Sequence, residues 1–179
     1  MKLTLGQRRI LVLFGCGLVL WFLISQVNHY LAPARLYVWV GGLYVTFAAT
    51  RLASQEGLYA SFLTGLLLDA VAPVAFGLHA FLFGIAHIVL VRLRHRFAGD
   101  VTIVAATVAL LTNLALFVVF TVTQLGAMGE SAAVGLRLLM DLVVSQCVLV
   151  LLAPWYFAFQ SRALEIVGAG LRVDPAEAM

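Results

Sequence analysis

The sequence predicts an all-α integral membrane protein that forms one domain over residues 1–179 and crosses the bilayer with six helices. Two observations carry this prediction. First, 64% of the residues are hydrophobic and only 11% are charged, whereas soluble domains carry about 25% charged residues. So few charges could not cover a hydrophobic core with a polar surface. Second, the apolar residues form charge-free stretches of about 20 residues, the length of a bilayer-crossing helix.

The predicted helices occupy residues 10–31, 36–53, 57–72, 76–93, 101–125 and 136–159. The apolar run of the first helix is longer than the core of a signal peptide, which has about 7–15 residues. We therefore expect an uncleaved helix, although Arg8 and Arg9 precede it and residues 32–34 resemble a cleavage site. The second helix is short between Arg35 and Arg51, unless these side chains extend outward.

The third and fourth helices come from one long apolar stretch, residues 57–91, in which Asp69 is the only formal charge. As a single helix this stretch would be about 52 Å long, which is too long for one crossing. Pro73 lacks a backbone donor and disfavours helical geometry at Ala72. The stretch is therefore predicted to fold back as a hairpin.

The last two helices are predicted from the remaining apolar runs, 101–125 and 136–159. Asp141 lies about one turn inside the sixth helix. The segment from Ser161 onward is too polar to span a bilayer. We expect no domain outside the membrane, because no long loop interrupts the six stretches.

The basic residues orient the predicted helices, because Lys and Arg collect on the cytoplasmic side of membranes. With a cytoplasmic N-terminus, Arg35 and Arg137 are outside and the other basic residues are inside. Those inside are Lys2, Arg8, Arg9, Arg51, Arg92, Arg94, Arg96, Arg162 and Arg172. Both termini are thus expected in the cytoplasm. The net charge is +3, but the basic residues are scattered along the chain at the ends of apolar runs. This distribution favours contact with the lipid bilayer and not with nucleic acid.

Charged and polar side chains gather in the outer half of this topology. Asp69 and His79 each lie five residues from the hairpin centre near Val74, so they reach similar depth. Arg137 and Asp141 are one helical turn apart on the sixth helix, a natural spacing for a pair. A polar network is predicted from Arg35, Asp69, His79, Arg137 and Asp141. It could pin the second, third, fourth and sixth helices together, form a ligand or ion site, or contact a partner helix.

Small residues recur every four positions on the third helix, at Gly57, Ser61, Gly65 and Asp69. This spacing lets helix backbones approach closely in lipid. Together with Gly77 and His79, these residues are predicted to pack helices of this chain against each other or to bind another membrane protein.

The sequence predicts no catalytic residues, metal ligands or cofactor, and so no enzyme. His79 and His87 are eight residues apart, about 80° around a helix, which does not suit a shared metal site. Asn113, midway along the fifth helix, is predicted to form an interhelical hydrogen bond.

The segment "GLLLDAVAPVAFGLHAFLFGI" resembles the most characteristic part of the rod shape-determining protein MreD family. The family pattern is a Gly-Leu-x-x-Asp helix end, a short turn, and a restart resembling Gly-Leu-His. The matching positions are Gly65, Leu66, Asp69, Gly77, Leu78 and His79. The resemblance covers residues 57 to about 92. Ala72-Pro73 departs from it, because the family commonly has glycine in the turn.

The resemblance implies a non-enzymatic scaffold subunit of the bacterial elongasome, which supports lateral peptidoglycan synthesis and rod cell shape. Such a subunit binds MreC through membrane helices and acts with RodA, its transpeptidase partner and MreB. The family is also similar in fold to the S-components of energy-coupling-factor transporters, so a carrier for a vitamin-type small molecule is the alternative. The first helix lacks the Ala-x-x-x-Ala docking motif typical of those carriers.

Overall fold

The computed structural model describes residues 3–72, 74–94, 101–128 and 132–170. Its helices are α1 (Leu5–Leu31), α2 (Gly41–Arg51), α3 (Ser54–Val71), α4 (Leu78–Leu93), α5 (Val101–Met128) and α6 (Ala132–Ile166), with a 3₁₀ turn at Ala32–Ala34. These described ranges contain no strand. The predicted all-α class is confirmed.

Three helical stretches are long and apolar enough to cross a membrane, Leu5–Ala34, Val104–Gln124 and Val134–Ile166. Their outward faces carry large apolar side chains, among them Phe22, Leu111 and Leu151, each more than half exposed. Exposed apolar surface of this extent is unfavourable in water and suits a lipid environment. The chain is therefore a membrane protein by length and composition of its helices.

The second helix is much shorter than predicted. Helix α2 begins at Gly41, and residues 36–40 are not helical. Their backbone groups bond to side chains of α1, α5 and α6, described below, and these bonds replace the helical ones. Arg35, with φ of 54°, turns the chain into this stretch. The prediction of one continuous helix over 36–53 is wrong, and we call residues 36–40 the extended segment.

The other helix ends also differ from the apolar runs that predicted them. Helix α1 begins at Leu5, because the hydroxyl of Thr4 and the side chain of Gln7 form a capping box before it. Helix α6 continues to Ile166 despite Pro154 in its interior. The predicted break at Pro73 lies outside the described residues, while Ala72 before it is extended.

The two ends of the helix bundle differ in charge. Arg9 on α1 bonds Glu56 on α3 and the backbone carbonyl of Ala169 beyond α6, so these three elements meet at one end. Arg94, after α4, donates to the carbonyl of Leu52 at the same end. We call this the arginine end. Lys2, Arg96 and Arg172, predicted on the same side, lie outside the described residues.

The opposite end holds Asp69 and Asp141, and we call it the aspartate end. Between the two ends runs α2, whose residues 41–49 are all buried. It packs against α3, α4, α5 and α6, so the shortest helix forms the centre of the bundle. The extended segment leads from the aspartate end into this centre.

Candidate functional site

Asp69 caps the start of α4 from the end of α3. Its Oδ1 accepts from the backbone N–H of His79 at 2.9 Å, and its Oδ2 accepts from that of Ala80 at 3.1 Å. The ring Nδ1 of His79 lies 2.8 Å from Oδ1 and donates, because an ionised carboxylate only accepts. The first N–H groups of a helix lack helical partners and carry partial positive charge. A carboxylate is therefore well placed there, and the predicted contact of Asp69 with His79 is present.

Gly77 makes this cap possible. It is the residue before α4 and has φ of 97°, in the left-handed region that favours glycine. The chain turns there so that the N–H groups of His79 and Ala80 face α3. Gly77 thus acts through backbone conformation.

The small residues of α3 pack inside the chain. A Cβ on Gly65 would lie 2.6 Å from the backbone nitrogen of Ala80 on α4. A Cβ on Gly57 would lie 2.6 Å from the carbonyl oxygen of Ala48 on α2. Ser61 between them is fully buried. Of the two predicted roles for this stripe, the geometry fits packing between helices of this chain, since the face is already covered by α2 and α4.

The extended segment is held by side chains from α1 and α6. The backbone N–H of Val38 donates to Oδ1 of Asn28 at 2.7 Å, and Nδ2 of Asn28 donates to the carbonyl of Val38 at 2.9 Å. The N–H of Tyr37 donates to Oδ1 of Asp141 at 2.8 Å. The side-chain amide of Asn28 therefore makes, with Val38, the two hydrogen bonds that the backbone of a neighbouring strand would make.

Further contacts carry the segment into α2. The N–H of Trp39 donates to the hydroxyl of Ser145 on α6 at 2.9 Å. Asn113 on α5 donates to the carbonyl of Trp39 at 3.2 Å and accepts from the N–H of Gly42 at 3.0 Å. The predicted interhelical hydrogen bond of Asn113 is confirmed. Buried backbone N–H and C=O groups need hydrogen-bond partners, and these side chains supply them to the extended segment.

Four of the five residues of the predicted network fall into two separate pairs, and Arg35 joins neither. Asp69 and His79 join α3 to α4, while Asp141 joins α6 to the extended segment. Arg137 stays near Asp141, with Nε 3.9 Å from Oδ2, and its side chain is 59% exposed. At that distance and exposure the pair contributes little. The side chain of Arg35 is exposed and forms no hydrogen bond or ion pair within the described ranges.

A cavity of about 240 Å³ lies between α1, the extended segment and α3. Its lining includes Trp21, Asn28, Tyr37, Trp39, Tyr44 and His79. Since Nδ1 of His79 is bonded to Asp69, Nε2 is the ring nitrogen left to a bound molecule. Aromatic walls with a few polar groups are typical of small-molecule sites, although such sites usually measure about 300–1,000 Å³. In the described part of the chain, no three His, Cys, Asp or Glu side chains gather as for a metal ion.

Replacing Asn28 by Leu is expected to lower the free energy of unfolding by about 2 kcal/mol, because two buried backbone groups of Val38 would lose their partner. The measurement is an unfolding titration of the purified protein in detergent. Gln26→Leu on the exposed side of α1 is the control and should leave stability unchanged. Equal effects of the two substitutions would contradict the role of Asn28 in holding the segment.

Comparison with known protein families, with curated proteins and with solved structures finds no match to this chain.

Proposed function

We propose that this chain is a non-enzymatic, multi-pass scaffold subunit of the bacterial elongasome, of the MreD type, that binds MreC through membrane helices. The observation that carries the proposal is the capped hairpin of α3 and α4. Gly65, Asp69, Gly77 and His79 carry the resemblance to that family, and each of them fixes the hairpin geometry. A sequence likeness that coincides with the residues that build a local structure is stronger support than shared hydropathy.

Six crossings of the bacterial inner membrane are part of this proposal, with the arginine end and both termini in the cytoplasm. The 11 residues of α2 measure about 17 Å at 1.5 Å per residue. The five residues of the extended segment add about 17 Å at 3.3 Å per residue. The sum of about 33 Å is close to the roughly 30 Å hydrocarbon thickness. The second crossing is thus half extended chain and half helix.

The interior is suited to a rigid support, and the outward faces are suited to partners. Five polar side chains hold the hairpin and the extended segment in place: Asn28, Asp69, Asn113, Asp141 and Ser145. The outward faces of α1, α5 and α6 are apolar, and a partner's membrane helix could replace lipid there. In this role the chain would bind MreC directly and support RodA and its transpeptidase partner, in coordination with MreB filaments.

Affinity capture from native membranes in mild detergent tests the proposal. The tagged chain should retain a single-span protein with a periplasmic coiled coil, identified by mass spectrometry. A tagged, unrelated six-span membrane protein is the control and should not retain it. Capture of a membrane-bound ATPase module, or of no single-span partner, would contradict the scaffold role.

The cavity beside His79 favours a second candidate function, a substrate-binding S-component of a small-molecule transporter. The extended segment lines this cavity, and broken helices commonly build the binding sites of transporters. A thermal-shift screen against vitamin-type molecules separates the two candidates. A ligand that stabilises the wild type and fails to stabilise His79→Ala would favour the carrier.

A further inference from the structure

A second cavity, at the arginine end, is unrelated to the hairpin and the extended segment. It has a volume of about 190 Å³ and lies between α2, α5 and α6. Its lining is Phe47, Thr50, Arg51, Ala105, Pro154, Phe157, Ala158 and Ser161. No acidic residue is among these side chains.

The lining divides into a polar rim and an apolar wall. Arg51 is the last residue of α2, and Phe47 lies one turn deeper in the bundle. On α6, Ser161 lies nearest the arginine end, and Phe157 and Pro154 follow at one and two turns deeper. The cavity therefore offers a cation and hydroxyls near the membrane surface and apolar side chains toward the bilayer centre.

Arg51 lines this cavity and is unpaired among the described residues. Arg8 and Arg92 are likewise exposed and unpaired with any described side chain, but they do not line it, and three further arginines of the same end are paired. Arg9 is bonded to Glu56, Arg94 to the carbonyl of Leu52, and Arg162 to Glu165. Arg51 is exposed and forms no hydrogen bond or ion pair with any described residue. Its guanidinium is thus available to an outside anion, and a guanidinium donates two parallel hydrogen bonds to a phosphate group.

We propose that this cavity binds an anionic phospholipid, with the phosphate at Arg51 and Ser161 and an acyl chain along Phe47, Phe157 and Ala158. The order of polar rim and apolar wall matches the order of headgroup and chain in one leaflet. Basic pockets between membrane helices on the cytoplasmic side bind anionic headgroups in this way. The inference requires the membrane orientation proposed above and is independent of the identity of any protein partner.

The test is native mass spectrometry of the full chain, purified without partners and incubated with phosphatidylglycerol or phosphatidylcholine of identical acyl chains. We expect phosphatidylglycerol to be retained in preference, and Arg51→Gln to reduce its bound fraction about fivefold, since one basic contact is lost. Arg162→Gln removes an exposed arginine of the same end that does not line the cavity, and it should bind lipid like the wild type. Ala158→Trp fills the apolar wall and should reduce retention while Arg51 is intact.

Several outcomes would overturn the inference. Equal retention of the two lipids would mean that only the apolar wall binds. Equal losses of bound phosphatidylglycerol in Arg51→Gln and Arg162→Gln would mean that the lipid is attracted by the overall positive charge of this end and not by the cavity. Displacement of the lipid by millimolar inorganic phosphate would mean a site for free phosphate. Elution of each variant as a monodisperse peak establishes that folding is intact, and a failure of MreC capture would leave the lipid result standing.

Discussion

Asp69→Leu is expected to lower the free energy of unfolding by about 3–5 kcal/mol, because several buried donors lose one acceptor and each unpaired buried group costs about 1–3 kcal/mol. The substitution leaves the N–H groups of His79 and Ala80 and the ring Nδ1 of His79 without an acceptor. His79 and Ala80 are only 4% and 1% exposed, so water would replace the carboxylate poorly. The start of α4 would therefore lose its cap and the hairpin its main polar contact.

The measurement is unfolding in detergent, with the proteins compared alone and with the captured partner. Asp69→Asn is the matched variant and should be milder, because its amide oxygen still accepts from one backbone donor. Glu165→Leu removes an exposed carboxylate of α6 and should change stability little. If Asp69→Leu kept its stability but lost partner binding, Asp69 would act at an interface with the partner. That result would contradict the capping role.

Gly65→Leu is expected to prevent recovery of folded protein. A Cβ at this position would meet the backbone of Ala80, which cannot move aside as a flexible side chain would. Helices α3 and α4 would have to separate, and the hydrogen bonds from His79 and Ala80 to Asp69 would lengthen as a result. Overpacking a well-packed interior costs about 1–3 kcal/mol for added methylene groups, and a backbone collision costs more.

The readout is the yield of monodisperse protein in size-exclusion chromatography, followed by unfolding of whatever is recovered. Gly65→Ala adds only the Cβ, and this variant should already be less stable than the wild type. Gly15→Leu is the control, because no atom lies within 4 Å of a Cβ at that position on α1. Normal yield and stability of Gly65→Leu would show that α3 and α4 are not in close contact there.

The hairpin could be predicted because its evidence is local. A long apolar stretch with one proline must fold back, and symmetry about the turn brings Asp69 and His79 to one depth. The periodic small residues of α3 likewise indicate a close approach. The backbone that Gly65 approaches, at Ala80, lies only 15 residues further along the chain, and the backbone that Gly57 approaches, at Ala48, only nine residues before it.

The extended segment could not be predicted, because most of the contacts that hold it come from residues far away in the sequence, and the nearby Asn28 does not by itself indicate which backbone it bonds. Hydropathy counts side chains, and residues 36–40 are as apolar as a helix crossing. Besides Asn28, the residues that bond their backbone are Asn113, Asp141 and Ser145, which lie 74 to 106 residues away from the positions they contact. Asn28 and Ser145 were missed for the same reason, since single polar residues in apolar runs do not reveal which backbone they serve.

The predicted network combined residues that lie at the same depth in the bundle but not next to each other. Topology places Arg35, Asp69 and Asp141 at one end of the bundle, but depth does not fix position around it. Asp69 accepts hydrogen bonds from the start of α4, and Asp141 accepts one from the extended segment. Arg35 lies in the turn before that segment, and its exposed side chain bonds to neither.

Cysteine labelling tests most directly whether the chain crosses the membrane six times. In a background with Cys16 and Cys147 replaced by Ala, single cysteines are placed at exposed positions 34, 53 and 75. Six crossings with a cytoplasmic arginine end predict that Ala34→Cys and Ala75→Cys react with an impermeant maleimide in intact spheroplasts. Ala53→Cys, between α2 and α3, should react only after permeabilisation. Reaction of all three from outside would mean that α2 and α3 do not cross, and would contradict the proposed architecture.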